Sequence, residues 1–150
     1  MSEPEPIYTL HHEKIIEFDV MGTPTGKGRP RATIRGRHAA VYTDAKTVAA
    51  ENSFLAQALP HRPAQPLTGA IRMTLNIYVA IPKSYSKGRR VSALQNLIRP
   101  LAKPDIDNIA KLAADSLNGV FYADDQQIVE IDVRKYYGIT PRTCVRIEEL

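Results

Sequence analysis

The chain has a single cysteine, Cys144, in 150 residues. A lone thiol cannot close an internal disulfide, so a disulfide framework is excluded and nothing points to an oxidising compartment. Its plainest place is a small core or edge-strand position. No apolar run approaches the roughly 20 residues that cross a bilayer, which argues against a membrane protein. Residues 1–12 are acidic, contain proline and end in Leu10-His11-His12, unlike a secretory leader. They read as a flexible polar tail, and the chain as a cytoplasmic bacterial or phage-encoded protein. His11-His12 has no partnering cysteines, so a solvated pair is a better reading than zinc. Internal repeats and low-complexity tracts are absent as well.

What remains is one domain's worth of sequence, placed at 13–150 and long enough for a real core. Its net charge is +4 and its pI about 9.3. The charge is unevenly spread. Gly22-Thr23-Pro24-Thr25-Gly26-Lys27-Gly28-Arg29-Pro30-Arg31 invites a nucleotide-loop reading. A phosphate-binding P-loop needs four residues between its glycines and Ser or Thr after the lysine. Here there are three, and Gly28 follows Lys27, so no nucleotide cofactor is expected. Lys27, Arg29, Arg31, Arg35 and Arg37 meet no acid until Asp44. A basic loop that touches a nucleic-acid backbone fits, because glycines allow close approach and arginines give bidentate donors. A solvated basic hairpin tip is the plainer alternative. A second basic segment, Pro82 to Lys103, holds Lys83, Lys87, Arg89 and Arg90 without an opposing carboxylate. It runs straight into Asp105, so a polyanion steered to it arrives at acids.

Hydrophobic periodicity supplies the frame. Ile16, Phe18 and Val20 alternate with Glu17 and Asp19 as a strand. Ala45 to Leu59 reads as a helix capped by Thr43 or Asp44, with Val48, Phe54, Leu55 and Leu59 on its apolar side and Glu51 as a surface acid or an extra ligand. Ile71 to Ile81 is the clearest strand and is expected to be central. A short helix is expected over Ser92 to Ile98. Ile128 to Tyr136 and Thr143 to Glu148 read as two more strands, joined as a hairpin. The order predicts an α+β domain, a mixed sheet packed with two main helices.

The remaining stretch is Lys103 to Gly119. Pro104 and Asp105 open a helix, Ile106, Ile109, Ala110, Ala113 and Leu117 form its apolar stripe, and Asn118-Gly119 stops it. Asp107, Lys111 and Asp115 lie four apart on another face. Asp124-Asp125 follow in a short loop. Carboxylates converging from the helix and this loop would make an oxygen site for Mg²⁺ or Mn²⁺. The competing reading is structural: Asp105 a cap, Asp107-Lys111-Asp115 an ion-pair ladder, Asp124-Asp125 a turn.

Asp105, Asp107, Asn108 and Lys111, then Asp115, then Asp124, Asp125 and Gln127, resemble the D-x-D-N-x-x-K and D-D-x-Q pattern of RusA-type Holliday junction resolvases. The early basic segment and the chain length agree. The resemblance implies a RusA-like fold and a homodimer acting on branched DNA. It implies Mg²⁺, with Mn²⁺ substituting, held by Asp105, Asp107 and Asp125, and Lys111 as the catalytic lysine. The expected reaction is endonucleolytic resolution of a four-way junction by paired symmetric nicks, in recombination and repair. The rivals are a nuclease for flaps or forks and a non-catalytic nucleic-acid-binding module.

Overall fold

The computed structural model describes residues 14–150; of Arg35 only the backbone is described. The expected tail over 1–12, with His11-His12, lies outside the described residues. The elements run β1 (Lys14–Met21), β2 (Arg31–Arg35), β3 (His38–Tyr42), α1 (Ala45–Ala58), β4 (Ile71–Ala80), α2 (Lys87–Leu94), α3 (Ile106–Leu117), β5 (Ile128–Gly138) and β6 (Arg142–Glu149). Short 3-10 turns span Leu59–His61 and Asp125–Gln127.

Alternation decides the main sheet. Ile71, Met73, Leu75 and Ile77 of β4 are fully buried, so one face of β4 lies on the core, and β4 sits inside the sheet, in the strand order β1-β6-β4-β5. β4 and β5 are parallel, and the other pairings are antiparallel. The sheet is therefore mixed, in an α+β fold. The expected β5–β6 hairpin does not form, because β4 lies between these strands. A chain leaving β4 through α2 and α3 returns parallel to it, as a crossover connection requires. The link from Gly138 to Arg142 then steps over β4, across roughly 10 Å or two strand spacings.

α1 and α3 cover one face. Phe54 and Ala58 from α1, and Ile109, Leu112, Ala113 and Leu117 from α3, pack with Phe18, Phe121, Tyr122, Val145 and Ile147. Two predicted stripe residues point outward instead: Ile106 is 45% exposed and Val48 43%. Leu112, absent from the predicted stripe, is buried. The short helix also differs: α2 begins at Lys87, where the side chain of Ser86 accepts a hydrogen bond from Arg89 N.

The opposite face of the sheet carries charge. Arg72 pairs with Glu130 at 2.5 Å and with Glu148 at 2.8 Å, and Glu148 pairs with Arg146 at 2.5 Å. Cys144 sits on β6, an interior strand, half-buried and without a disulfide partner, so the edge-strand expectation is corrected.

The first basic segment contains structure that was expected to be loop. β2 and β3 pair as a separate two-stranded hairpin. Its register puts Ala32, Ile34, Ala39 and Val41 on one face, and Arg31, Thr33, His38, Ala40 and Tyr42 on the other. Ile34 and Val41 are 79% and 72% exposed. Gly36 supplies the turn with φ 64°, a left-handed value that favours glycine.

Candidate functional site

The N-terminus of α3 is held by its surroundings more than by its own cap. Lys135 Nζ, from β5, donates to Ala102 O at 2.8 Å and Pro104 O at 3.0 Å. Arg99 Nε donates to Lys135 O at 2.9 Å, and its guanidinium lies 4.2 Å over the Tyr136 ring. These contacts fix the segment that delivers Asp105. Asp105 does take the N-cap position, but its carboxylate makes no capping hydrogen bond. It therefore stands free of the helix, contrary to the capping expected from sequence. Asp107 is exposed, and its Oδ1 accepts only a local bond from Asn108 N at 3.0 Å.

One turn further on, the charges are paired. Lys111 Nζ lies 3.1 Å from Asp115 and 3.9 Å from Asp125. Helical spacing of four brings Lys111 and Asp115 together. The Asp125 contact depends on the turn after α3. There the Asp124 side chain accepts from Gln126 N, and Gln127 Oε1 accepts from Asp124 N at 2.8 Å, a capping box. Gln127 Nε2 donates to Leu67 O and Gly69 O, each at 2.9 Å. Tyr122 is buried beneath, its hydroxyl donating to Ala114 O at 2.6 Å. Asp124 is thus engaged in the turn, while Asp125 faces Lys111. The Asp125 carboxyl is pushed above its ordinary value, first by the hydrogen bond with Asp124 and then by burial, with Lys111 opposing.

Lys27 occupies the gap between the two main helices. Its Nζ lies 3.3 Å from Glu51 on α1 and in short contact with Asp115 on α3. The hydrogen bond that Lys27 donates to Asp115 raises the Lys27 pKa. Burial pushes Asp115 up, but hydrogen bonds from Lys27 and Lys111 outweigh it and leave its pKa below the ordinary value. Glu51 is thus half-buried and engaged, not a plain surface acid.

The rest of the first basic segment opens onto a groove of about 900 Å³. Lys27, Arg29, Arg31, Lys46, Lys103 and Asp105 are among its lining residues. Two basic segments far apart in sequence therefore meet there through Lys27, Arg29, Arg31 and Lys103, with Asp105 in the same wall. Arg31 is tethered loosely to Asp44 at 3.7 Å. Arg37 is exposed at the hairpin turn, and Arg35 is placed only by its strand position. Lys83, Lys87, Arg89 and Arg90 do not line the groove. They belong to the α2 region, which packs on β5, and Arg89 lies 4.0 Å over the Tyr85 ring.

The donor chemistry of Asp105, Asp107 and Asp125 suits a hard divalent cation, because all are carboxylates and the first two pair with no cation among the described residues. Among the described residues, however, no three His, Cys, Asp or Glu side chains are grouped closely enough to hold a metal ion. The donors fit the ion; their side chains are not gathered around a common point.

A match to the endodeoxyribonuclease RusA family spans residues 21–148. The chain belongs to the RusA endodeoxyribonuclease family. It is also 38% identical over 137 residues, 90% of this chain and 96% of the relative, to the uncharacterized protein YqaN of Bacillus subtilis (strain 168). RusA membership makes the acidic helix and the groove the natural place to look for hydrolysis of DNA. No helix among the described residues is long and apolar enough to cross a membrane.

Sequence reasoning missed three supports of this candidate site. Gln127 was read only as part of a motif, and Lys135 only as part of a strand. Lys27 was assigned to DNA, because its acidic partners lie 24 and 88 positions away. The free carboxylate of Asp105 likewise depends on backbone geometry, which sequence does not display.

Proposed function

We propose that this chain is a divalent-metal-dependent endodeoxyribonuclease that resolves four-way DNA junctions by paired symmetric nicks. The observation that carries the reading is the meeting of Arg29, Arg31 and Lys103 with the uncapped carboxylate of Asp105 in one groove. Cationic side chains along a groove concentrate a polyanion, and here they lead it to the acidic end of α3.

Asp105, Asp107 and Asp125 would hold Mg²⁺, with Mn²⁺ able to substitute. When bound, the ion supplies Lewis acidity toward the phosphate and the attacking water. Lys111 stabilises the negative charge that develops on the phosphate oxygens. Its placement between Asp115 and Asp125 keeps the ammonium aimed along the helix face. Arg29, Arg31 and Lys103 bind the DNA backbone on the approach. Arg35, Arg37, Lys83, Lys87, Arg89 and Arg90 extend the basic surface around it. Two nicks placed symmetrically require two sites, so a two-fold homodimer is the matching assembly. The setting is recombination and repair in the cytoplasm of a bacterium or a phage-infected cell.

The test is incubation of the purified protein with a mobile four-way junction, a fork and a linear duplex, in Mg²⁺ and in EDTA. Paired nicks on the junction in Mg²⁺ alone support the proposal. Preferential cutting of the fork would replace it with a fork nuclease. Tight binding without cutting in Mg²⁺ or Mn²⁺ would leave a binding module.

A further inference from the structure

Among the described side chains of the basic loop, Lys27 is the one whose charge faces two carboxylates. Its side chain is 26% exposed, and those of its partners Glu51 and Asp115 are 28% and 18% exposed. The backbone around it is fastened on both sides. Lys27 N donates to Asn108 O on α3 at 2.9 Å, and Gly28 N donates to Thr47 Oγ1 on α1 at 3.0 Å. Both flanking glycines are required by contact. A Cβ at Gly26 would stand 2.9 Å from the Asn108 Cβ, and one at Gly28 would stand 2.7 Å from Thr47 Oγ1. Gly26-Lys27-Gly28 is therefore a wedge that drops one ammonium between the two helices.

The loop does not read as a free phosphate-binding surface at this position. An ammonium already facing two carboxylates has little charge left for a polyanion, whereas the neighbouring Arg29 is exposed. The same contact also reaches the reacting region. Asp115 accepts from Lys27 through Oδ2 and faces Lys111 through Oδ1. Fixing one oxygen of a planar carboxylate orients the other.

We propose that Lys27 is a positioning residue of the nuclease site and not a contact to the DNA backbone. Its ammonium, together with that of Lys111 on Asp115, offsets the charge of Glu51 and Asp115 so that these two do not attract a divalent ion of their own, and it holds Asp115 as the acceptor that aims Lys111. The inference rests on the proposed nuclease reading for the role of Lys111, and two of its three tests are read without cleavage.

The first test is junction affinity against salt concentration, measured in EDTA. Lys27→Met leaves the slope of log affinity against log salt as in the wild type, whereas Arg29→Ala reduces its magnitude by about one. The second is Mn²⁺ binding by the free protein, followed through the free-ion paramagnetic resonance signal. Lys27→Met binds one more ion per chain than the wild type, and adding Glu51→Gln removes that ion. The third is single-turnover cleavage at saturating junction, where Lys27→Met is slower by about tenfold or more, the scale expected when a catalytic group is mispositioned. Asp115→Asn, which keeps the shape of the side chain, shows the same lower rate with unchanged junction affinity. It decides the matter if Lys27→Met does not fold. A salt slope reduced by about one in Lys27→Met, or an unchanged Mn²⁺ count, overturns the proposal. So does an undiminished saturated rate in either variant of a cutting enzyme. A wild-type protein that cuts no DNA overturns the nuclease reading instead, and the salt slope and Mn²⁺ count still decide the placement of Lys27.

Discussion

The two halves of α3 treat their charges in opposite ways. Around the first turn, Asp105 and Asp107 are exposed and pair with no cation among the described residues. From the middle onward, Lys111 and Asp115 are engaged with one another, with Lys27 and with Asp125. A helix N-terminus attracts anions and repels cations, so the dipole stabilises an acid there even without a partner, and a cation bound there must be held by more than one carboxylate. Two acids left without cations at that end make a local deficit that a bound cation can fill. The paired half is by contrast electrically closed and mechanically fixed. On the proposed function, the difference separates a place for an incoming ion from a frame that holds Lys111.

The largest expected effect tests the open half. Asp107→Asn keeps the shape of the side chain and removes its charge. Cleavage in Mg²⁺ is expected to fall by about 10³-fold or more, on the scale of losing a main electrostatic contributor to the transition state. Junction binding in EDTA should persist, since no basic residue is lost. Cleavage close to the wild-type rate would place the ion elsewhere and dissolve the contrast between the halves.

Next comes the paired half. Lys111→Ala removes the ammonium between Asp115 and Asp125. The saturated cleavage rate should drop by about 10²-fold, with a smaller change in junction Kd. A change confined to Kd would make Lys111 a phosphate anchor. The frame beneath it is tested by Gln127→Ala, which deletes three hydrogen bonds and leaves Asp124 N, Leu67 O and Gly69 O without that partner. A stability loss of roughly 1–3 kcal/mol is expected, read as a Tm lower by about 2–4 °C for each kcal/mol. An unchanged Tm would mean that the turn carrying Asp125 is fixed by its backbone alone.

Much of this was legible from sequence, for identifiable reasons. The core strand Ile71 to Ala80 announces itself by strict alternation, and α3 by apolar spacing between Pro104 and Gly119. Spacing draws attention to Asp105, Asp107, Lys111, Asp115 and Asp124-Asp125, but only the resemblance to the RusA pattern picks Asp105, Asp107, Lys111 and Asp125 from among them, and their role remains a proposal. Readings failed where a partner far along the chain decides the outcome. The β5–β6 hairpin was expected because the strands are adjacent in sequence, yet β4 pairs with both and lies between them. The β2–β3 hairpin hid behind arginines, since its apolar face, including the exposed Ile34 and Val41, is not covered by the described residues and leaves no buried pattern to read. Ile106 was expected inside, but the helices cover the sheet only from Ile109 onward. Lys27 looked like its arginine neighbours until α1 and α3 closed around it.

The smallest effect concerns the approach to the open half and compares the two basic segments. Lys103 lines the groove beside Asp105, whereas Lys87, equally a surface lysine, does not. Each phosphate contact releases condensed counterions, so it contributes close to one unit to the salt slope of DNA binding. Lys103→Ala should therefore reduce the magnitude of that slope by about one, and Lys87→Ala by clearly less. The measurement is junction binding in EDTA across a salt series, where cleavage plays no part. Equal reductions would mean that the DNA runs over α2 as well as through the groove. A reduction at Lys87 alone would move the DNA path away from Asp105, and the free acids of the first turn would then need another explanation than a cation awaiting a phosphate.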